Sequence, residues 1–322
     1  MINKLREIIE KHESIIIFRH LRPDMDAIGS QMGLYHLIKT NYPKKRVYVV
    51  GDENNMLYKT KMDILEDDVY QNSLAIIIDT AVDYLVSDEG YKKALEVVVI
   101  DHHQNESNIE SSLFYQLSDY TSACEMLAMM AREYQWEVSS MAATYIYGGM
   151  VTDTGRFQYI NELNAARVFS NAAFITSFKP EIKEMYEFLY TEELEKKLAK
   201  NMFTNFDLTK NNVAYRKNTK ELVEQSGLGV FGVSRGMVNL MAGIKEVLVW
   251  VSFTEDSEKD KIVAEIRSRN VVVVDIAKKY GGGGHNHACG ASLKDFNEAD
   301  LMLADLDKLV EEYNASFKWN IN

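Results

Sequence analysis

The chain has little that could cross-link it, anchor it or attract a long polyanion. Among its 322 residues are two cysteines, Cys124 and Cys289, far apart and in neither a Cys-x-x-Cys nor a Cys/His zinc spacing. That excludes a disulfide framework or zinc ribbon and leaves both as small buried residues. Basic residues are outnumbered by acidic ones, 36 against 48, and no Lys/Arg block interrupts the deficit. A duplex-binding stripe is thereby excluded, and any nucleotide partner should be small. The same balance suits a protein that ignores nucleotides, or one that gathers several divalent cations in a carboxylate-rich pocket. Long apolar runs are missing too: the opening MINKLREIIEKHES is charged and amphipathic, and no later segment approaches membrane-spanning length. The expectation is a cytoplasmic protein with no membrane partner. Only three prolines punctuate the chain, and no repeat or low-complexity tract occurs. Ordinary apolar (46%) and charged (26%) fractions indicate a folded globular protein, and the length exceeds one comfortable core, so two domains are expected.

In the first half, Ser14–Phe18, Val47–Val50, Leu74–Ile78 and Val97–Ile100 are continuous apolar, β-branched runs that predict strands buried on both faces. Helices are predicted between them at Gln31–Thr40, Asn54–Glu66 and Glu89–Leu95, then at Thr121–Gln135 and Met141–Ala173. Alternation of strand and helix predicts a parallel α/β sheet with helices on both faces, whose ligands bind at the strand carboxyl ends. The charged, glycine-free EIKEMYEFLYTEELEKKLAK predicts a helical connector. Beyond it, strands at Asn205–Tyr215, Glu246–Thr254 and Lys261–Arg267 interleave with helices at Lys220–Gln225, Met237–Gly243 and Val271–Lys279, a smaller α+β domain. The division is residues 1–180, connector 181–200 and 201–322.

Four apolar runs end on acidic or imidazole residues. SIIIFRHLRPDMDAIGS supplies His20, Asp24 and Asp26; LAIIIDT supplies Asp79; VVVIDHH supplies Asp101, His102 and His103; GGMVTDTGRFQY, read as a fourth strand end, supplies Asp153. Carboxylates gathered that densely repel one another and raise each other's pKa unless cations intervene. Imidazole with carboxylate and no thiolate suits manganese, iron or zinc better than calcium or magnesium. So many ligands could hold two ions, about 3.5–4 Å apart, clamping both oxygens of a phosphoryl transfer. Taken singly, an Asp at a strand end is ordinarily a turn residue or helix cap, and a His there a structural hydrogen-bonder; the weight lies in the coincidence of four. Asp101 is the candidate for orienting a ligand, holding His102 in one tautomer.

A second candidate is YGGGGHNHACG, where Gly282, Gly283 and Gly284 precede His285 and bare backbone can approach a phosphate. Arg267 and Arg269, alternate residues of EIRSRN, would share one strand face and grip an anion. A tight turn and solvent-facing arginines are the plainer accounts of both. GLGVFG, Gly227–Gly232, imitates a dinucleotide-binding fingerprint but follows a polar helical run, so Gly227 is taken as a helix C-cap. HNH at His285–His287 is no HNH nuclease motif.

With these residues assembled, HLRPDMDAIGS, IIIDT, VIDHH and VTDTGRFQY resemble the four motifs of the DHH phosphoesterases. SRGMVNLMAGI, EIRSR and GGGGHNHACG resemble the DHH-associated domain, and the overall length resembles the branch of nanoRNases (oligoribonucleases) and phosphoadenosine-phosphate phosphatases. The resemblance implies two manganese ions, one held by His20, Asp24 and Asp79 and the other by Asp26, Asp79, His102 and Asp153. His103 would face the scissile phosphate as a catalytic group, with Asp101 orienting the site. Gly282–His285, Arg267 and Arg269 would bind substrate across an interdomain cleft. One departure is Leu85, where the family commonly has an arginine. The implied activity is hydrolysis of short oligoribonucleotides of about two to five nucleotides, including pApA, to mononucleotides, and of 3′-phosphoadenosine-5′-phosphate to AMP, with no long duplex as partner. A homodimer is compatible with it. A dedicated cyclic-di-AMP or pApA phosphodiesterase and a catalytically inactive nucleotide-binding regulator are the alternatives.

Overall fold

The computed structural model describes residues 2–319, with side chains through residue 316. It divides into two compact units, residues 1–191 and 192–322.

The first unit contains α1 (Ile2–Lys11), β1 (Ser14–Phe18), α2 (Met25–Asn41), β2 (Arg46–Val49), α3 (Asp67–Gln71), β3 (Leu74–Ile78), β4 (Glu96–Asp101), β5 (Leu113–Gln116), α4 (Ala123–Glu133), α5 (Ser140–Asp153), α6 (Ala165–Thr176) and α7 (Ile182–Tyr190). The strands form one parallel sheet in the order β2-β1-β3-β4-β5. Successive side chains of a strand face opposite ways, and here both ways are covered. Ile15, Ile17, Ile76, Val98 and Ile100 join the core beneath the helices α1, α2, α4 and α5. Ile16, Phe18, Ala75, Ile77 and Val99 pack on the other face with Tyr70 of α3 and Tyr91 of a 3-10 turn. Burial on both sides explains why these runs are apolar at every position.

Several local expectations differ from what forms. Residues 54–66 are irregular apart from turns and bends rather than helical, because Asn54 is taken up in bonds to the Pro23 carbonyl and the Met56 N–H while the Asp63 carboxylate caps Val49 N–H. The long helix expected over 141–173 breaks at Asp153 into α5 and α6, with Gly155, Arg156 and Phe157 all at positive φ. Strand β5 was not foreseen. The charged connector is two helices: α7 places Met185 in the first unit's core, and α8 (Leu194–Asn201) begins the second.

The second unit continues with β6 (Asp207–Leu208), β7 (Ala214–Asn218), α9 (Lys220–Ser226), α10 (Gly229–Ser234), β8 (Val249–Asp256), β9 (Lys261–Ser268), α11 (Val274–Lys279), β10 (Gly283–His285), β11 (Ala288–Leu293) and α12 (Phe296–Trp319). Its sheet runs β10-β11-β9-β8-β7-β6, antiparallel except for β7 beside β8. Gly227 is the left-handed C-cap of α9, as the polar run before it required.

Candidate metal centre

The sheet order makes β1 and β3 neighbours while the chain leaves them toward opposite sides. A crevice opens at their carboxyl ends, where ligands bind in such folds. There a pocket of about 230 Å³ is lined by His20, Asp24, Asp79, Asp101, His103 and Asp153, among others. His20 follows β1. Asp24 is the N-cap of α2, its Oδ1 accepting from the N–H groups of Asp26 and Ala27 at 3.0 Å each. The ordinary role of a cap and a place in the pocket thus coincide. Asp79 follows β3 with φ +64, a left-handed backbone that Asp tolerates better than most side chains and that often marks a functional site.

Asp153 corrects the sequence reading. It ends helix α5, not a strand, and reaches the sheet edge because α5 packs closely on α2. A Cβ on Gly149 of α5 would meet Cys124 Sγ and, at 2.7 Å, Asp26 Oδ1; the missing side chain lets the last turn of α5 approach the first turn of α2.

Three groups of potential ligands result among the described residues, His20 with Asp24 and Asp79, Asp26 with His102 and Asp153, and Asp79 with His102 and His103, the chosen ligand atoms in each lying within 4.8 Å of one another. Asp79 straddles the first two. Its Oδ2 is 3.5 Å from His20 Nε2, and its Oδ1 is 3.3 Å from His102 Nε2. His102 Nε2 also lies 3.6 Å from Asp153 Oδ2 and 3.7 Å from Asp26 Oδ2. The opposite ring nitrogens are engaged with backbone carbonyls, His20 Nδ1 with Leu21 at 2.8 Å and His102 Nδ1 with Tyr120 at 3.4 Å. Both rings therefore turn Nε2 inward, the arrangement that metal-binding histidines adopt.

Charge shows what the pocket needs. Burial disfavours protonation of both rings, but the carboxylates overcome it: the nearby Asp24 and Asp79 push His20 up to about 11, and Asp79, Asp26 and Asp153 push His102 up to about 10. Burial would raise Asp79, yet the two imidazoles hold it below the usual carboxylate range. Asp26 and Asp153 rise through burial and through their neighbouring carboxylates. In this protonation balance two imidazolium ions do the work of cations. Asp79 Oδ1 and His102 Nε2 are nevertheless buried without a hydrogen-bond partner. Orphaned ligand atoms facing one centre, with no thiolate among them, fit a divalent ion of the manganese, iron or zinc type. Cys124 stands close by, but burial pushes its thiol well up and it adds no soft ligand.

Asp101 also departs from expectation. Wholly buried, it holds the ring of His103 and not that of His102, its Oδ1 accepting from His103 Nδ1 at 2.8 Å and from the His102 N–H at 2.9 Å. The hydrogen bond to Asp101 raises the His103 pKa. Leu85 lines the pocket as well, setting an apolar wall beside His20.

In the second unit, a concavity of about 750 Å³ brings together Arg267, Gly282, Gly283, Gly284 and His285, with Arg235 and Glu265. The glycine run is not a free loop. Gly283–His285 pair with Ala288–Gly290, and a Cβ on Gly282 would strike the Gly290 carbonyl. Arg269 does not join them: it lies beyond the end of β9, and its guanidinium donates to the Lys245 carbonyl at 2.8 Å. Alternation along a strand could not place it, because the strand stops at Ser268. Arg235, at the end of α10, was missed; its Nε is 3.5 Å from Glu265, which also holds Arg267 at 3.0 Å. The signal was SRGM, treated only as a family likeness.

Residues 14–150 match the DHH family N-terminal domain, and residues 229–314 match the DHHA1 domain. The bifunctional oligoribonuclease and PAP phosphatase NrnA of Bacillus subtilis is 33% identical over 318 residues, covering 97% of this chain and all of that one. The chain belongs to the DHH family. Within that family the cyclic-di-AMP phosphodiesterase PdeA of Listeria monocytogenes is more distant, 24% identical, with 98% of this chain covering 49% of that protein. A crystal structure of an exopolyphosphatase-related protein from Bacteroides fragilis shares the fold, with a TM-score of 0.81 at 23% identity, over 98% of this chain and 97% of that one. DHH phosphoesterases are metal-dependent, and the Asp and His groups of this chain could hold metal. No helix among the described residues is long and apolar enough to cross a membrane.

Proposed function

We propose that this DHH protein is a manganese-dependent hydrolase that cleaves short oligoribonucleotides, of about two to five nucleotides and including pApA, to mononucleotides, and 3′-phosphoadenosine-5′-phosphate to AMP. The observation that carries the reading is the Asp79 carboxylate, one oxygen turned to each of the first two Asp/His groups. His20, Asp24 and Asp79 would hold one ion, and Asp26, Asp79, His102 and Asp153 the other. Bound there, the ions would supply Lewis-acid activation of phosphate and water.

The chain's own residues supply the rest. His103 is anchored through Nδ1 to Asp101, which leaves Nε2 for a phosphoryl oxygen or the leaving oxygen. The hydrogen bond to Asp101 raises its pKa, which favours the protonated ring. Arg267 and the segment Gly282–His285 are assigned to an anionic part of the substrate, with Arg235 beside them. The net charge of −12 disfavours strong backbone binding along long nucleic acid.

The full-length similarity to a relative named for oligoribonuclease and PAP phosphatase activity supports this reading over a dedicated cyclic-di-AMP phosphodiesterase. Manganese-dependent turnover of an RNA dinucleotide, pApA, cyclic-di-AMP, 3′-phosphoadenosine-5′-phosphate, pyrophosphate and a long RNA tests it. Comparable rates on the RNA dinucleotide and the phosphoadenosine phosphate are expected. Preference for cyclic-di-AMP, or binding of pApA without cleavage, would overturn it.

A further inference from the structure

The segment Asp119–Cys124 contacts two members of the second group of potential ligands, Asp26 and His102. Both hydrogen bonds to the Asp26 carboxylate come from it, Ala123 N–H to Oδ2 at 2.7 Å and Cys124 N–H to Oδ1 at 3.0 Å. These are the first N–H groups of α4, whose positive end favours a carboxylate. The same segment supplies the Tyr120 carbonyl that meets His102 Nδ1. His20 and Asp24 have no such contact: His20 leans on its own neighbour Leu21 and Asp24 on the N-terminus of α2.

Something must hold that segment, and two side chains outside the pocket do. Glu125 is wholly buried, and its carboxylate accepts from Thr121 N–H at 2.8 Å, Thr121 Oγ1 at 2.9 Å, Asn171 Nδ2 at 3.1 Å and Arg167 Nε at 2.9 Å. Arg167, from α6, continues to the Asp119 carboxylate at 2.7 Å and the Asp119 carbonyl at 2.5 Å, and its guanidinium lies 4.2 Å from the centre of the Tyr120 ring. One planar fork therefore grips Asp119, Tyr120 and Glu125 together. Without it, a fully buried carboxylate loses the cation that compensates it, a costly state that the segment relieves by moving.

We propose that Arg167, acting with Glu125, is a positioning residue that sets the affinity of the Asp26/His102/Asp153 group for its ion, and leaves the His20/Asp24/Asp79 group unaffected. The inference rests on the metal reading above. It reaches past the ligands to a pair on α4 and α6 that holds two of them through the backbone, as partners of ligands do in other metal sites.

The test is titration of Mn²⁺ into the metal-free full-length protein by calorimetry, with electron paramagnetic resonance counting bound ions. Wild type should take two ions. Arg167→Ala should keep one at wild-type affinity and bind the other about 10–100-fold more weakly, with activity recovering as manganese is raised. In a His20→Ala background, which leaves only the second group intact, Arg167→Ala should weaken the remaining ion; in an Asp153→Ala background it should change nothing. Arg167→Lys, which keeps a cation beside Glu125 but not the fork, should fall between, and it serves if the alanine variant does not fold. Equal affinities for both ions in wild type and variant, or equal weakening of both, would overturn the inference while leaving the metal reading intact. A wild-type protein that takes no manganese would overturn both.

Discussion

His103 Nδ1 lies 2.8 Å from Asp101 Oδ1, and Asp101 is wholly buried while the His103 side chain is half exposed. A buried carboxylate behind an accessible imidazole raises the pKa of the ring and keeps its other nitrogen toward the pocket. Removing the charge works in the opposite sense. Asp101→Asn should lower the His103 pKa, so that the protonated ring is lost at lower pH and the alkaline limb of the kcat profile moves to lower pH. His103→Ala should cost about 10²–10⁴-fold in kcat. An unmoved limb in Asp101→Asn would separate the pair from catalysis.

Asp79 faces both ligand groups, so Asp79→Ala should weaken both ions and abolish hydrolysis, whereas His20→Ala and Asp153→Ala should each affect one. Mn²⁺ titration of the three variants decides between a shared ligand and a merely structural carboxylate. Retained activity in Asp79→Ala would remove the central feature of the proposed site.

Manganese uptake should release protons. In the metal-free protein His20 and His102 have pKa values raised to about 11 and about 10, so near neutral pH both rings carry a proton that an ion must displace. Affinity should therefore rise with pH and fall in acid. Calorimetry in two buffers of different ionisation enthalpy measures the release directly, and a buffer-independent heat would contradict the protonation balance described here.

Arg267 and Arg269 should behave differently despite their spacing. Arg267→Ala should raise KM by roughly 10–100-fold, the loss of a charged hydrogen bond worth about 1.5–3 kcal/mol. Arg269→Ala should leave KM nearly unchanged and act only on stability, since its guanidinium is engaged with the Lys245 carbonyl. Steady-state kinetics on the RNA dinucleotide distinguishes the two.

Gly149 and Gly148 are adjacent, yet substitution should separate them. A methyl on Gly149 meets Asp26 Oδ1, which two backbone N–H groups hold in place, so Gly149→Ala should destabilise by about 1–3 kcal/mol and weaken manganese binding. At Gly148 the obstructing atoms are the ends of Met25 and Met185, which can rotate away, and Gly148→Ala should be milder in both respects. Urea midpoints with and without Mn²⁺ report both effects.

Much of the first unit was legible in the chain because the relevant signals are local. Continuous apolar runs announce strands buried on both faces, and a polar residue within two positions of the end of such a run lies near the sheet edge; this placed His20, Asp79, Asp101 and His102. Asp153 was found by its neighbours in sequence but on the wrong kind of element, since VTD ends a buried helix as readily as a buried strand. What the chain alone could not decide was which side chains meet across elements. That Asp101 serves His103, that Arg269 turns away from Arg267, and that Arg167 and Glu125 hold Asp26 through the start of α4 all depend on rotamers and on packing between segments distant in sequence. The amino-acid sequence by itself determined the parallel sheet and the inventory of carboxylate and imidazole side chains at its edge. Only the tertiary structure decided their partners, because a hydrogen bond depends on direction and a few tenths of an ångström, while periodicity records only which face a residue takes.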